Sequence, residues 1–99
     1  MAHRVASQAE ADLDDIWLYV ATESGSMDVA NRLVDSIADR FFFLSNFPHA
    51  GRVRALDFGA GTRSFPVGEY VVIYCVEGPD VFILRVVHGK RDLEGLFEL

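Results

Sequence analysis

Long apolar runs are missing from this 99-residue chain. With no stretch of about 18 consecutive apolar residues, hydropathy excludes a single membrane-spanning helix. Cysteine is almost absent too. The one thiol, Cys75, excludes an internal disulfide framework, and its apolar surroundings mark it as a core thiol in a reducing compartment. Basic charge is scarce. Nine Lys and Arg face fifteen Asp and Glu, the net charge is −6, and the only lysine is Lys90. That balance argues against a general nucleic-acid binder, which ordinarily shows a basic face. Gly59-Ala60-Gly61 lacks the Lys-Ser/Thr of a phosphate-binding loop and opens no helix. No metal or cofactor is therefore expected. Met1-Ala2-His3-Arg4 leads into a polar segment without a secretory apolar core, so a cytoplasmic location is expected.

What is present suits one domain spanning residues 1–99. Hydrophobic residues make up 51% and aromatics 12%, ample material for a core at this length. Charge is uneven: residues 1–50 have a balance of −5 and residues 51–99 of −1, so the cations gather in the C-terminal half. A local basic surface is compatible with the acidic whole.

The hydrophobic pattern predicts two helices followed by a sheet. Ser7-x-x-Glu10 has the spacing of a capping box. Ala9, Leu13, Ile16, Trp17 and Val20 form one apolar face, with Asp12 placed where the helix dipole favours anions and Glu10, Asp14 and Asp15 off the face. Glu23-Ser24-Gly25 should end this helix. A second, capped by Ser26 or Asp28, carries Ala30, Leu33, Val34, Ile37, Ala38, Phe41 and Leu44 at the same period and must end before Pro48. The short link makes the pair an antiparallel hairpin. Phe41-Phe42-Phe43 leaves its C-terminal end apolar on more than one side, to be covered by the sheet or by a partner.

Residues 49–61 read as loop. Thr62–Phe65 reads as a short strand. Tyr70–Val76 and Val81–Val87 read as a β-hairpin around Glu77-Gly78-Pro79-Asp80. In its second strand, strict alternation puts Val81, Ile83, Arg85 and Val87 on one face and Phe82, Leu84, Val86 and His88 on the other. Val5 and its neighbours can add an edge strand, and Leu93–Phe97 a final helical turn. The expected class is α+β, a helical hairpin packed on one face of a small antiparallel sheet.

The most informative stretch is Arg85-Val86-Val87-His88-Gly89-Lys90-Arg91-Asp92-Leu93. An apolar strand runs straight into three cations and an imidazole within seven residues. It is either a solvated strand end or a functional basic edge. Three other segments accompany it: Ala9-Glu10-Ala11-Asp12-Leu13-Asp14-Asp15-Ile16-Trp17, Leu44-Ser45-Asn46-Phe47-Pro48-His49-Ala50-Gly51-Arg52, and Arg63-Ser64-Phe65-Pro66-Val67-Gly68-Glu69-Tyr70. In this order, from about Val5 to Leu96, the chain resembles ParE-type toxins of the ParE/RelE superfamily, the toxic halves of bacterial toxin–antitoxin pairs.

The resemblance implies a non-enzymatic toxin that poisons DNA gyrase and is masked by a ParD-like antitoxin. Candidate target-binding residues are Arg63, Arg85, His88, Lys90 and Arg91. Candidate antitoxin-binding residues are Phe41, Phe42, Phe43, Arg52 and Arg54. The alternative is the RelE branch, a ribosome-dependent, metal-independent mRNA endonuclease. It needs an acid/base and cations around the scissile phosphate, for which His88, Arg63 and Arg85 are the candidates. A third reading is a weakly toxic protein that acts mainly by binding its antitoxin. Two departures weigh against the nuclease: Lys90 is the only lysine, and the segment after Asp92 has no tyrosine.

Overall fold

In the computed structural model, which describes residues 2–54 and 59–90, the chain runs β1 (His3–Val5), α1 (Ser7–Ser24), α2 (Met27–Asn46), β2 (Arg52–Val53), β3 (Thr62–Val67), β4 (Tyr70–Glu77) and β5 (Asp80–His88). The strands form one sheet in the order β1-β5-β4-β3-β2. β2 to β5 pair antiparallel, as the turn sequences require. β1 departs from the expected antiparallel sheet and lies parallel to β5, with Val5 opposite Ile83. No tight turn joins these strands; the whole helical hairpin and the other three strands lie between them, so nothing forces an antiparallel direction.

The helical hairpin forms for the reasons the sequence supplies. α1 stops at Gly25, which takes the left-handed conformation (φ 69°) that a side chain resists. Ser26 caps α2, its Oγ accepting from Val29 N–H at 3.2 Å. Trp17 Nε1 donates to Asn31 Oδ1 at 2.7 Å and ties the two helices together. The N-terminus of α1 differs from expectation. The N-cap is Ala6, without a side-chain cap, and the Ser7–Glu10 box does not form. The reason is the sheet: Ala6 N–H donates to Ile83 O, so the helix starts one residue earlier, directly off β1.

The core lies between hairpin and sheet. Ala9, Ile16, Ile37, Phe41 and Leu44 meet Tyr70, Val72, Tyr74, Val81, Ile83 and Val86 there. Val86 contradicts strict alternation along β5. The register passes from Tyr74 opposite Ile83 to Ile73 opposite Arg85, leaving Leu84 as an extra residue. This β-bulge shifts the phase by one, so Val81, Ile83 and Val86 share the buried face. Residues 49–61, read as loop, contain the short strand β2, and β3 extends through Pro66 to Val67. The expected helical turn at 93–97 lies outside the described residues.

Candidate functional site

The bulge decides the fate of Arg85. β1 covers the outer edge of β5 only as far as Ile83. Beyond it Asp12 of α1 takes over that edge. One carboxylate oxygen, Oδ2, accepts from Val86 N–H at 2.9 Å and from Arg85 Nε at 2.8 Å, while Oδ1 accepts from Arg85 Nη2 at 3.1 Å. Asp12 is only 8% exposed. The sequence reading saw in it only an anion favoured by the helix dipole; the structure makes it a buried bridge from helix to strand. The signal was available, because Asp12 lies three residues after Ala9 and four before Ile16, on the buried stripe itself.

Arg63 is likewise engaged by the fold. Its Nη1 donates to Gly51 O at 2.8 Å and to His49 O at 3.3 Å. The adjacent core residue Tyr74 donates its hydroxyl to Pro48 O and accepts from Gly51 N–H, both at 2.8 Å. Burial pushes the Tyr74 phenol up, while the Gly51 hydrogen bond and the Arg63 charge pull it part of the way back. The two side chains pin residues 48–51 from below. The sequence reading missed Tyr74, which looks like any strand aromatic.

His88 closes the far end of the sheet. It meets the Tyr70 ring edge-on at 5.4 Å, its Nδ1 accepts from Lys90 N–H at 3.2 Å, and its Nε2 lies 3.8 Å from Glu69 Oε2. Lys90 is exposed there. Arg91 lies outside the described residues. Arg63 pairs with Tyr74 and His88 with Tyr70, four positions apart along β4 and on the strands either side of it. Strand geometry then separates their backbones by about 16 Å. The candidates His88, Arg63 and Arg85 do not converge on one scissile group, and the five target-binding candidates do not form one cluster among the described residues.

The three consecutive phenylalanines also part company. Phe41 is 3% exposed and belongs to the core, which corrects its reading as a partner-binding residue. Phe42 is 62% exposed and stacks edge-on against His3 at 4.7 Å, towards β1. Phe43 points to the other end of the sheet, with ring contacts to Phe47 at 5.1 Å and Phe65 at 5.5 Å and the Arg40 guanidinium over its face at 5.6 Å. Phe47, 58% exposed, is the residue the reading missed. Together with Pro48, His49 and Ala50 it lines an open apolar hollow of about 500 Å³. Ala50 also borders a second hollow, of about 370 Å³, which holds Arg52, Arg54 and Pro66. Arg54 Nε donates to Ser64 Oγ at 2.8 Å, and Arg52 and Val53 stand exposed on the sheet's last strand.

Helical hairpin, five-stranded sheet and basic strand end together match a described family. The family model for the ParE toxin of type II toxin-antitoxin system, parDE, matches residues 4–93. The chain belongs to the ParE toxin family. Toxin ParE3 of Caulobacter vibrioides is 38% identical over 82 residues, 83% of this chain and 80% of that protein. Toxin ParE1 of the same organism is 33% identical over 93 residues, 91% of each. Among solved structures, a chain of the chromosomal ParDE system from P. aeruginosa superposes with a TM-score of 0.76 at 23% identity, over 89% of this chain and 95% of the other. A chain of the toxin–antitoxin complex RelBE2 from Mycobacterium tuberculosis gives 0.64 at 27%, over 88% and 95%. This ParE-family chain is thus a toxin of the type II toxin–antitoxin class. ParE and RelE chains share its fold, so fold alone does not separate the two branches. Among the described residues, no helix is long and apolar enough to cross a membrane.

Proposed function

We propose that this chain arrests bacterial growth by inhibiting DNA gyrase without chemistry of its own, and that a small ParD-like antitoxin holds it inactive. The observation that carries the choice of branch is the dispersal of the nuclease candidates. Arg85 is committed to Asp12, Arg63 to the 48–51 backbone, and His88 packs on Tyr70 about 16 Å from Arg63. General acid/base cleavage of RNA needs these groups within hydrogen-bond reach of one phosphate. The acidic chain, with one lysine, is also poorly matched to the dense phosphate charge of a ribosome.

Target recognition in this reading falls to the sheet end, where Lys90 is exposed beside His88. Antitoxin recognition falls to the opposite end, around Phe43, Phe47, Arg52 and Arg54. The test uses antitoxin-free protein in two assays. The expected result is inhibition of gyrase supercoiling with intact mRNA in a reconstituted translation reaction. Codon-positioned mRNA cuts with unaffected gyrase overturn the proposal.

A further inference from the structure

The sheet has two faces, and the helical hairpin covers only one. Strand alternation turns Val71, Ile73 and Cys75 of β4 away from the hairpin, with Val87 and Phe82 of β5 beside Val71 and Cys75. An antiparallel sheet can leave such a face to water, and its side chains then keep part of their exposure. Two of these do not. Ile73 is 2% exposed and Val87 3%, although neither belongs to the core cluster beneath the hairpin. Val71, Cys75 and Phe82 around them are only half-buried. No helix or strand among the described residues lies over the pair. The burial is that of the single chain, so its own residues supply the cover.

The position of the two buried side chains shows where that cover comes from. Gly89, just past β5, has already turned onto this face: a Cβ there would lie 3.4 Å from Val71 Cγ2. Its N–H donates to Glu69 O at 2.8 Å, which holds the chain on that course. Residues 91–99 follow directly. The β2–β3 connection leaves instead at the other end of β4, where Thr62 pairs with Cys75 and the face is more open. Ile73 and Val87 are diagonal neighbours, about 7–8 Å apart. Nine residues span about 13 Å even as a helix, so reach is sufficient.

Composition fits the same face. Leu93, Leu96 and Phe97 recur at the spacing of one helical stripe, and residues 91–99 carry three acids against one base. The face they would meet carries cations. Arg54 Nε donates to Ser64 Oγ, and Ser64 pairs with Ile73. The Arg85 side chain, though bound to Asp12, remains 34% exposed.

We infer that residues 91–99 fold back over the second face of the sheet as a strap. Leu93, Leu96 and Phe97 pack on Val87 and Ile73, and the carboxylates of the strap face Arg54 and Arg85. The domain then has three layers, and the apolar residues of the strap hold the fold instead of awaiting a partner. Lys90 sits between two anchored segments, β5 and the strap.

The test is nuclear Overhauser spectroscopy on the full, isotope-labelled chain, with melting temperatures of Leu96→Ser, Phe97→Ser and Val87→Ala. The expected result is side-chain contacts from Leu96 and Phe97 to the methyl groups of Val87 and Ile73. Phe97→Ser should melt at least about 4–8 °C lower. Combining it with Val87→Ala should lower the melting temperature by less than the two single losses together, because both variants remove one contact. The contacts are read in the unsubstituted chain, so a variant that fails to fold leaves the test decisive. Random-coil chemical shifts throughout 91–99 overturn the inference. Contacts to Val87 and Ile73 from Leu56 or Phe58 instead, or from a second copy in a mixed labelled and unlabelled sample, overturn it as well, and so do unchanged melting temperatures in both Leu96→Ser and Phe97→Ser.

Discussion

Asp12 on α1 and Arg85 on β5 form a two-point ion pair, at 2.8 and 3.1 Å, on the β5 edge just past the end of β1. The same carboxylate also takes Val86 N–H, as a strand's carbonyl would. Removing it should expose more than a charge pair. Asp12→Ala removes the acceptor of the buried Val86 N–H and two hydrogen bonds of the Arg85 guanidinium, and we expect a loss of about 2–3 kcal/mol. Arg85→Ala should cost less, since Asp12 keeps Val86 N–H. Urea unfolding of both variants checks the order. Equal stability of Asp12→Ala and the unsubstituted chain would remove the carboxylate from any structural role.

Tyr74 offers a prediction with a pH signature. Tyr74→Phe removes the donor to Pro48 O and leaves Gly51 N–H without its acceptor, at an expected cost of about 1–3 kcal/mol. The folded protein holds the phenol above its ordinary value of 10.0, chiefly through burial. The unfolded chain therefore ionises first as pH rises. This contribution is fully present below pH 10 and is lost as pH climbs through the raised folded value. Cys75, also raised by burial and by Glu77, acts in the same direction. The Tyr74 share is therefore read as the difference between Tyr74→Phe and the unsubstituted chain: the variant should lose less stability between pH 9 and 11. Parallel alkaline profiles would contradict this.

Gly51 has no room for a side chain. A Cβ there would overlap the Tyr74 hydroxyl and sit 2.8 Å from the Ser64 carbonyl oxygen, which is backbone and cannot swing away. Gly51→Ala should lower the melting temperature by roughly 10 °C or more, at about 4–8 °C per kcal/mol for a domain this size. Gly61→Ala faces open space, but at a left-handed φ of 79°, and should cost only about 1 kcal/mol. Differential scanning calorimetry of the pair separates collision from backbone strain, and a milder loss at Gly51 than at Gly61 would refute the crowding.

Toxicity and stability should separate at Lys90. The side chain is exposed, and an exposed charge contributes about 0–1 kcal/mol to folding. Lys90→Ala is expected to melt like the unsubstituted chain and to lose growth inhibition when expressed without an antitoxin. Full toxicity in that variant would make the basic strand end a solvated edge with no part in target recognition.

Much of the architecture is written in local pattern. The 3.6-residue apolar stripes, Gly25, Ser26 and Pro48 set both helices and their reversal. The β-branched runs around Glu77-Gly78-Pro79-Asp80 set the central hairpin. Such signals involve residues within a few positions of one another, so they are legible in one dimension. The four segments from Ala9 to Leu93 marked the family for the same reason. The tertiary structure decided what depends on pairs far apart in the chain. Asp12 meets Arg85 across 73 positions, and Tyr74 reaches back to Pro48 across 26. The parallel course of β1 and the extra residue at Leu84 follow from how the hairpin lies over the sheet. These contacts give Arg63 and Arg85 a part in holding the fold, and sent Phe41, Phe42 and Phe43 to three different environments. A side chain's type and spacing announce what it can do; whether it is free to do it depends on which distant partner the fold brings within about 3 Å.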